Sequence, residues 1–231
     1  MENKTVIITG VSGNLGQAVL QLFLAKNYTV IGTVNHHDTT AAATENPRLE
    51  KVAVDLTNAA DTEKFMQQVI AKHKTIDAVI LTVGGFAMGN VAQTQTADVY
   101  QQYKLNFETA YNVARPAFEQ MMKQQQGRIF MVGSKPGLDA SKGKGMVAYS
   151  LSKSLIFKLA EILNHEAKGH NVVTSVIVPS TIDTPQNRKA MPDSNFDAWV
   201  KPEAIAQTIY FYCSPEAAAL REPVIKLYNN S

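Results

Sequence analysis

Seven short runs rich in β-branched and apolar residues punctuate the chain: KTVIIT (4–9), YTVIGTV (28–34), LEKVAVD (49–55), IDAVILTV (76–83), GRIFMVG (127–133), NVVTSVIV (171–178) and PVIKLY (223–228). Most carry apolar residues on both faces, the pattern of strands buried in a parallel sheet between helical layers. Between them, NLGQAVLQLFLAKN, AADTEKFMQQVIAKH, NFETAYNVARPAFEQMMKQ, VAYSLSKSLIFKLAEILNHEAK and PEAIAQTIYFYC repeat their apolar residues at helical spacing. This alternation predicts right-handed βαβ crossovers and an α/β fold, a doubly wound parallel sheet of about seven strands with helices on both faces. No repeat, low-complexity tract or linker divides the chain, so 1–231 is expected to be a single domain. Two connections are long. NHHDTTAAATENPR (35–48) is short for a full helical crossover, and STIDTPQNRKAMPDSNFDAW (180–199) is a candidate lid, with an unstructured loop as the alternative.

Composition narrows the class without naming it. The chain has 231 residues, 45% apolar and 18% charged, enough for one self-sufficient core. A net charge of +2 gives no footprint for nucleic acid or an acidic membrane, and no apolar run is long enough to span a bilayer. The single cysteine, Cys213, lies in the apolar IYFYC stretch and reads as buried packing. With no signal-peptide pattern in MENKTVIITG, these features give the expectation of a cytoplasmic protein. The five histidines show no ligand spacing, and no metal is expected.

The candidate chemistry begins where the first strand ends, in TGVSGNLG (9–16). Gly10, Gly13 and Gly16 recur at a strand-to-helix turn, where backbone approaches a pyrophosphate and the helix N-terminus offers N–H groups to it. A tight turn without ligand is the structural alternative. The acidic residue expected about 20 residues on, for the adenosine ribose, is missing. The second strand closes on Thr33, Val34 and Asn35, with His36 and His37 the only basic candidates nearby. A nicotinamide dinucleotide is therefore expected, NADH or NADPH, with the preference open.

Two Tyr-x-x-x-Lys pairs share the spacing that brings side chains together on a helix face: Tyr100/Lys104 in YQQYK and Tyr149/Lys153 in YSLSK. The first lies in a polar segment, TADVYQQYKLN, and reads as solvated or packing. The second opens the helix after the fifth strand, which ends in Gly133 and Ser134, on the ligand side of the sheet. A free phenol has a pKa of about 10. A neighbouring ammonium and an oxidised nicotinamide favour its phenolate and are expected to lower that value. Ser134 can hydrogen-bond a substrate oxygen or nitrogen while Tyr149 supplies the proton.

Taken in order, TGVSGNLG, Asp55, Gly84-Gly85, Asn106, Ser134, Tyr149-x-x-x-Lys153 and Pro179 resemble the short-chain dehydrogenase/reductase family along essentially the whole chain. The resemblance implies a Rossmann-like fold and catalytic roles for Ser134, Tyr149 and Lys153, with Asn106 assisting a proton relay through the lysine. It implies cofactor contacts at Gly10, Ser12, Gly13, Asn14, Leu15, Gly16, Asn35, Gly84, Gly85 and Pro179, and from Tyr149 and Lys153. Asp55 and Leu56 look like adenine contacts, and Ile182 and Thr184 like carboxamide and phosphate contacts. Capping is the alternative for Asn106 and Asp55 taken alone. A homodimer or homotetramer joined through the helices at 106–125 and 147–168 is also implied.

Within the family, VGGFAMGN (83–90), GLDASKGKGMVAY (137–149) and DTPQNRKAMPDSNFDAW (183–199) are similar to the quinonoid dihydropteridine reductases. That group usually has an acid after strand two, commonly lacks the serine, and carries tryptophan where Phe86 stands. Phe86 can stack on a flat heterocycle or pack on the protein. The expected small-molecule substrate is therefore a quinonoid dihydropterin. A ketone or aldehyde is the alternative within the family, and a dinucleotide sensor without turnover the alternative outside enzymes.

Overall fold

The computed structural model describes residues 4–35 and 46–230. Its seven strands are β1 (Thr5–Thr9), β2 (Thr29–Val34), β3 (Leu49–Ala53), β4 (Ala78–Leu81), β5 (Gln126–Val132), β6 (Asn171–Pro179) and β7 (Val224–Leu227). Every pairing is parallel, in the order β3-β2-β1-β4-β5-β6-β7. β1 lies inside the sheet, third of seven, with β2 and β3 to one side of it and β4 to β7 to the other, so the switch point lies between β1 and β4. Ligand crevices form outside the carboxyl ends of the strands at such a point.

Each strand alternates its side chains between two cores. Val6, Ile8, Ala78 and Ile80 meet α1 (Asn14–Ala25) and α8 (Pro202–Tyr212) through Val19, Phe23, Ile205 and Ile209. Ile7, Val79, Ile129 and Met131 meet α2 (Ala59–His73), α4 (Thr109–Gln124) and α6 (Val147–Glu166) through Met66, Val113, Met121 and Ile156. β1 and β4 are buried throughout, which is why they read as apolar on both faces. Burial at Cys213 pushes its thiol up to about 12, the state of an inert packing cysteine.

Two segments differ from the apolar pattern. TADVYQQY, polar and without an apolar stripe, is helix α3 (Thr96–Tyr103). It starts where the Asp98 carboxylate accepts from Gln95 N at 2.8 Å, and it continues through a wide π turn (Lys104–Glu108) into α4. Its burial rests on Gln102 alone, so periodicity gave no signal. The 180–199 segment is structured: it holds α7 (Pro185–Ala190) and a 3-10 turn, Phe196–Ala198, after α5 (Lys135–Leu138) earlier in the chain. Arg188 pairs both carboxylate oxygens of Asp183, at 2.6 and 2.8 Å, and lies 4.7 Å over the Phe196 ring, which packs on buried Trp199. Most of the 35–48 connection, His36 and His37 included, falls outside the described residues.

Candidate active site

The glycine turn is shaped by the chain itself. Gly10 adopts φ +67°, a left-handed conformation that glycine enters without strain, and its N–H donates to Thr33 Oγ1 at 3.2 Å. A Cβ on Gly16 would sit 2.1 Å from the Gly10 carbonyl oxygen, whereas one on Gly13 would meet nothing closer than that oxygen at 3.4 Å. Gly13 is the N-cap of α1 and supplies no side-chain cap, so the helix opens with its N-terminus presented to the crevice. Ser12, Gly13 and Asn14 are exposed there, and Asn14 Nδ2 donates to Gln186 Oε1 of α7 at 2.7 Å, tying the turn to the 180–199 segment. We expect Gly16→Ala to cost about 2–3 kcal/mol through overpacking and to lower Tm by roughly 4–10 °C. Gly13→Ala should cost under about 1 kcal/mol; thermal melts of the two variants check the contrast.

Not every residue carried by the resemblance offers its side chain. Leu15 and Leu56 are buried in the two cores, so only their backbones border the crevice. The Asp55 carboxylate accepts from Thr57 N and Oγ1 at 2.9 and 2.7 Å in a local turn, and Asn35 is exposed at the end of β2. Pro179 ends β6 opposite Leu227, Ile182 pairs with Val200, and Thr184 caps α7 through Asn187 N at 3.1 Å.

Ser134, Tyr149, Lys153 and Asn106 converge at the end of β5. Ser134, buried, caps α5 by accepting from Gly137 N at 3.1 Å, and its hydroxyl hydrogen-bonds the Tyr149 phenol. Lys153, 5% exposed, donates from Nζ to the Val132 carbonyl at 2.8 Å. A Cβ on Gly84 would lie 3.1 Å from that Nζ and 2.7 Å from Asn106 Oδ1, so the Gly84-Gly85 turn rests on both residues. Asn106 accepts from Gly85 N at 2.9 Å and donates from Nδ2 to Gly85 O at 3.0 Å.

The electrostatics correct one expectation. The phenol of Tyr149 is raised above its ordinary value, chiefly by burial, with the Ser134 hydrogen bond pulling the other way. Lys153 is not among the groups that shift it in the protein alone; the lysine head donates to the Val132 carbonyl. Burial instead pulls Lys153 itself down to about 8. The site thus holds a protonated phenol at neutral pH beside a cation close to its own titration point.

Phe86 meets Tyr149 edge to face, ring centroids 5.1 Å apart, and is still 60% exposed. Both readings of it hold in part: one edge packs on the protein and much of the ring stays open. Two hydrogen bonds fasten its loop to the start of α6, Gly89 N to Gly145 O at 2.8 Å and Val147 N to Gly89 O at 3.0 Å. Tyr100 and Lys104, the rival pair, are exposed. Between them, however, Gln102 is buried against Asn106 and was not a candidate in the sequence; only its spacing of four from Asn106 pointed to it. Among the described residues no group of three or more His, Cys, Asp or Glu side chains can hold a metal ion.

Comparison with known proteins gives three findings. A model of the short chain dehydrogenase family matches residues 4–195. Among curated proteins, a 3-oxoacyl-[acyl-carrier-protein] reductase of Thermotoga maritima is 24% identical, covering 97% of this chain and 96% of its own. A dihydropteridine reductase of Dictyostelium discoideum is 25% identical, covering 90% and 87%. Among solved structures, ElxO with NADP bound has a TM-score of 0.88 at 18% identity, covering 98% of this chain and 97% of its own. The ligand-free aldohexose dehydrogenase of Thermoplasma acidophilum has 0.84 at 19%, covering 99% and 94%.

Proposed function

The chain belongs to the short chain dehydrogenase family, and from that premise we propose that it is an NAD(P)H-dependent reductase in which Tyr149 is the proton donor. The observation that carries the reading is the convergence of Ser134, Tyr149 and Lys153 beside Gly84-Gly85, at the same edge of the sheet as the open α1 terminus.

The crevice fits a dinucleotide: Gly13 leaves space where a Cβ would stand, and the N-terminus of α1 suits a pyrophosphate. Gly10, Ser12, Gly13, Asn14 and Gly16 would line the pyrophosphate, with Leu15 offering its backbone. Asn35, Asp55 and Leu56 would hold the adenosine half. Gly84, Gly85, Pro179, Ile182, Thr184, Tyr149 and Lys153 would hold the nicotinamide half. Thr33, Val34 and Asn35 include neither carboxylate nor arginine, so NADH and NADPH both remain candidates.

When bound, the reduced nicotinamide supplies a hydride to the substrate. Tyr149, kept protonated by burial, gives its hydroxyl proton to the substrate atom that gains electron density. Ser134 orients that same atom from the other side. Lys153, one helical turn from Tyr149, would stabilise the phenolate left behind, and Asn106 holds the Gly84-Gly85 turn on which the lysine head rests. A sensor without turnover has no use for a lysine buried at such cost, which favours catalysis over that alternative.

The best substrate reading is a quinonoid dihydropterin. The open ring of Phe86 suits a flat heterocycle, and the Dictyostelium relative is named for that activity. The hydroxyl of Ser134 and the 3-oxoacyl reductases among the relatives favour a carbonyl substrate as the second reading. Fluorescence titration with NADH and NADPH, then turnover of quinonoid dihydropterin against a panel of ketones, aldehydes and 3-oxoacyl thioesters, tests both. We expect at least one cofactor to bind and the pterin to be turned over best. Binding of neither cofactor would sink the reductase reading.

A homodimer or homotetramer is proposed across the outer faces of α4 and α6. There Phe107, Tyr111, Met122, Leu155 and Ile162 line a cleft of about 700 Å³. A cytoplasmic setting is proposed from the lone thiol, and no helix among the described residues is long and apolar enough to cross a membrane.

A further inference from the structure

We propose that Gln102 is a positioning residue: it fixes the Asn106 side-chain amide and, through it, the Gly84-Gly85 turn that rests on Lys153. Its kinetic readout depends on the reductase reading; its structural readout does not.

Gln102 is 6% exposed on a helix where Val99 is half-buried and the other residues face outward, Tyr100, Gln101 and Tyr103 among them. A buried side-chain amide is unfavourable unless its polar atoms are paired, and an apolar residue would pack there without that penalty. What Gln102 contributes is an acceptor: its Oε1 takes a hydrogen bond from Asn106 Nδ2 at 2.9 Å.

That acceptor matters because the Asn106 amide is heavily shared. Its two N–H hydrogens face three acceptors: Gly85 O at 3.0 Å, Gln102 Oε1 at 2.9 Å and Ser152 Oγ at 3.1 Å. Gly85 dictates the direction of the amide, since its N–H needs Asn106 Oδ1 and its carbonyl takes one hydrogen. Gln102 takes the second. Ser152 has the longest of the three contacts, and its own proton is committed to the Tyr149 carbonyl at 2.8 Å. Without Gln102 the second hydrogen falls to Ser152 alone.

The location amplifies the effect. Asn106 sits inside the π turn at 104–108, and the bond to Gln102 spans the entry to that wide turn from the last regular turn of α3. Asn106 Oδ1 and Lys153 Nζ both stand against Gly84, so an unfastened amide loosens the surface on which the lysine head is aligned. Position and not affinity is at stake, because Gln102 lies behind Asn106 and not in the dinucleotide crevice.

The test compares Gln102→Met, which keeps the length and removes the acceptor, with Gln102→Glu, which keeps a carboxyl oxygen as acceptor. Gln102 also lines an open cavity of about 340 Å³ with Met88, Thr94 and Ala148, where the carboxylate retains contact with water. Gln102→Met should lower kcat about ten-fold or more. KM for the dinucleotide should stay within about two-fold, while exchange of the Gly85 amide proton quickens about ten-fold. Gln102→Glu should recover kcat to within about three-fold of the parent at pH 8. Gln102→Leu repeats the design should the methionine chain not fold. Wild-type kcat and Gly85 protection in Gln102→Met would overturn the proposal, as would equal losses in the Met and Glu variants. If the parent turns over no substrate, the reductase reading fails and Gly85 exchange alone decides the role of Gln102.

Discussion

Tyr149→Phe is expected to lower turnover about a thousand-fold, in the upper part of the range for removing a positioned general acid, while dinucleotide affinity stays within a few-fold. The ring keeps its burial and its edge contact with Phe86, and the Ser134 oxygen still accepts from Gly137 N; the Ser134 hydroxyl loses the phenol as its partner, at about 1 kcal/mol. Tm should therefore fall by only a few degrees. The loss is confined to the proton, and rapid-mixing measurements at saturating cofactor and substrate will show it in kcat. Tyr100→Phe is the internal control: Tyr100 is 64% exposed, outside the cluster, and its loss should change nothing measurable. A large drop there would mean that the wrong Tyr–Lys pair has been identified.

Lys153→Met should separate activity from stability in opposite directions. Turnover falls about a hundred-fold or more, since the cation beside the phenolate is gone. Stability at pH 7 should rise. Lys153 is lowered from 10.5 to about 8 in the folded protein, which at 1.36 kcal/mol per unit is an unfavourable burial of about 3 kcal/mol. Leaving the Val132 carbonyl without its donor returns about 1–2 kcal/mol of that. The net gain of about 1–2 kcal/mol corresponds to a few degrees in Tm.

The sign of the pH dependence follows from the lowered pKa. Below pH 8 both folded and unfolded chains carry the charge, and the folded state bears the full penalty. Between about 8 and 10.5 the unfolded chain binds the proton more tightly, so the contribution of this group to stability improves as pH rises. The advantage of Lys153→Met should accordingly shrink across that window. An advantage that stays constant with pH would point to packing and away from the charge.

The strands were legible because strands covered on both faces write apolar residues at every position, as in TVIIT and AVIL. The helices of the two layers were legible by their stripes. α3 was not, because a helix anchored by one glutamine has no stripe to read. The exposure of Tyr100 agrees with a solvated role, yet reading the whole of YQQYK as solvated or packing hid Gln102 within it. The direction of the Tyr149 pKa shift was not legible for a related reason. Spacing puts Lys153 on the same face, but only the fold turns its ammonium onto Val132. Residue types carried by resemblance also say nothing of orientation: Leu15 and Leu56 stand at the expected positions with their side chains in the cores.

β1, the first of the described strands, lies inside the finished sheet, third of seven, and this has a consequence during synthesis. β1 is flanked by β2 and β4, and the Thr5 N–H is held by the Asp77 carboxylate, 72 residues further on. At roughly 5–20 residues per second, that interval takes several seconds on the ribosome. Throughout it, Val6, Ile7 and Ile8 present an unpaired apolar edge, the kind that recruits other chains. The vulnerable moment of this molecule therefore comes during translation, before β4 emerges, and the yield of native protein depends on how quickly that partner arrives.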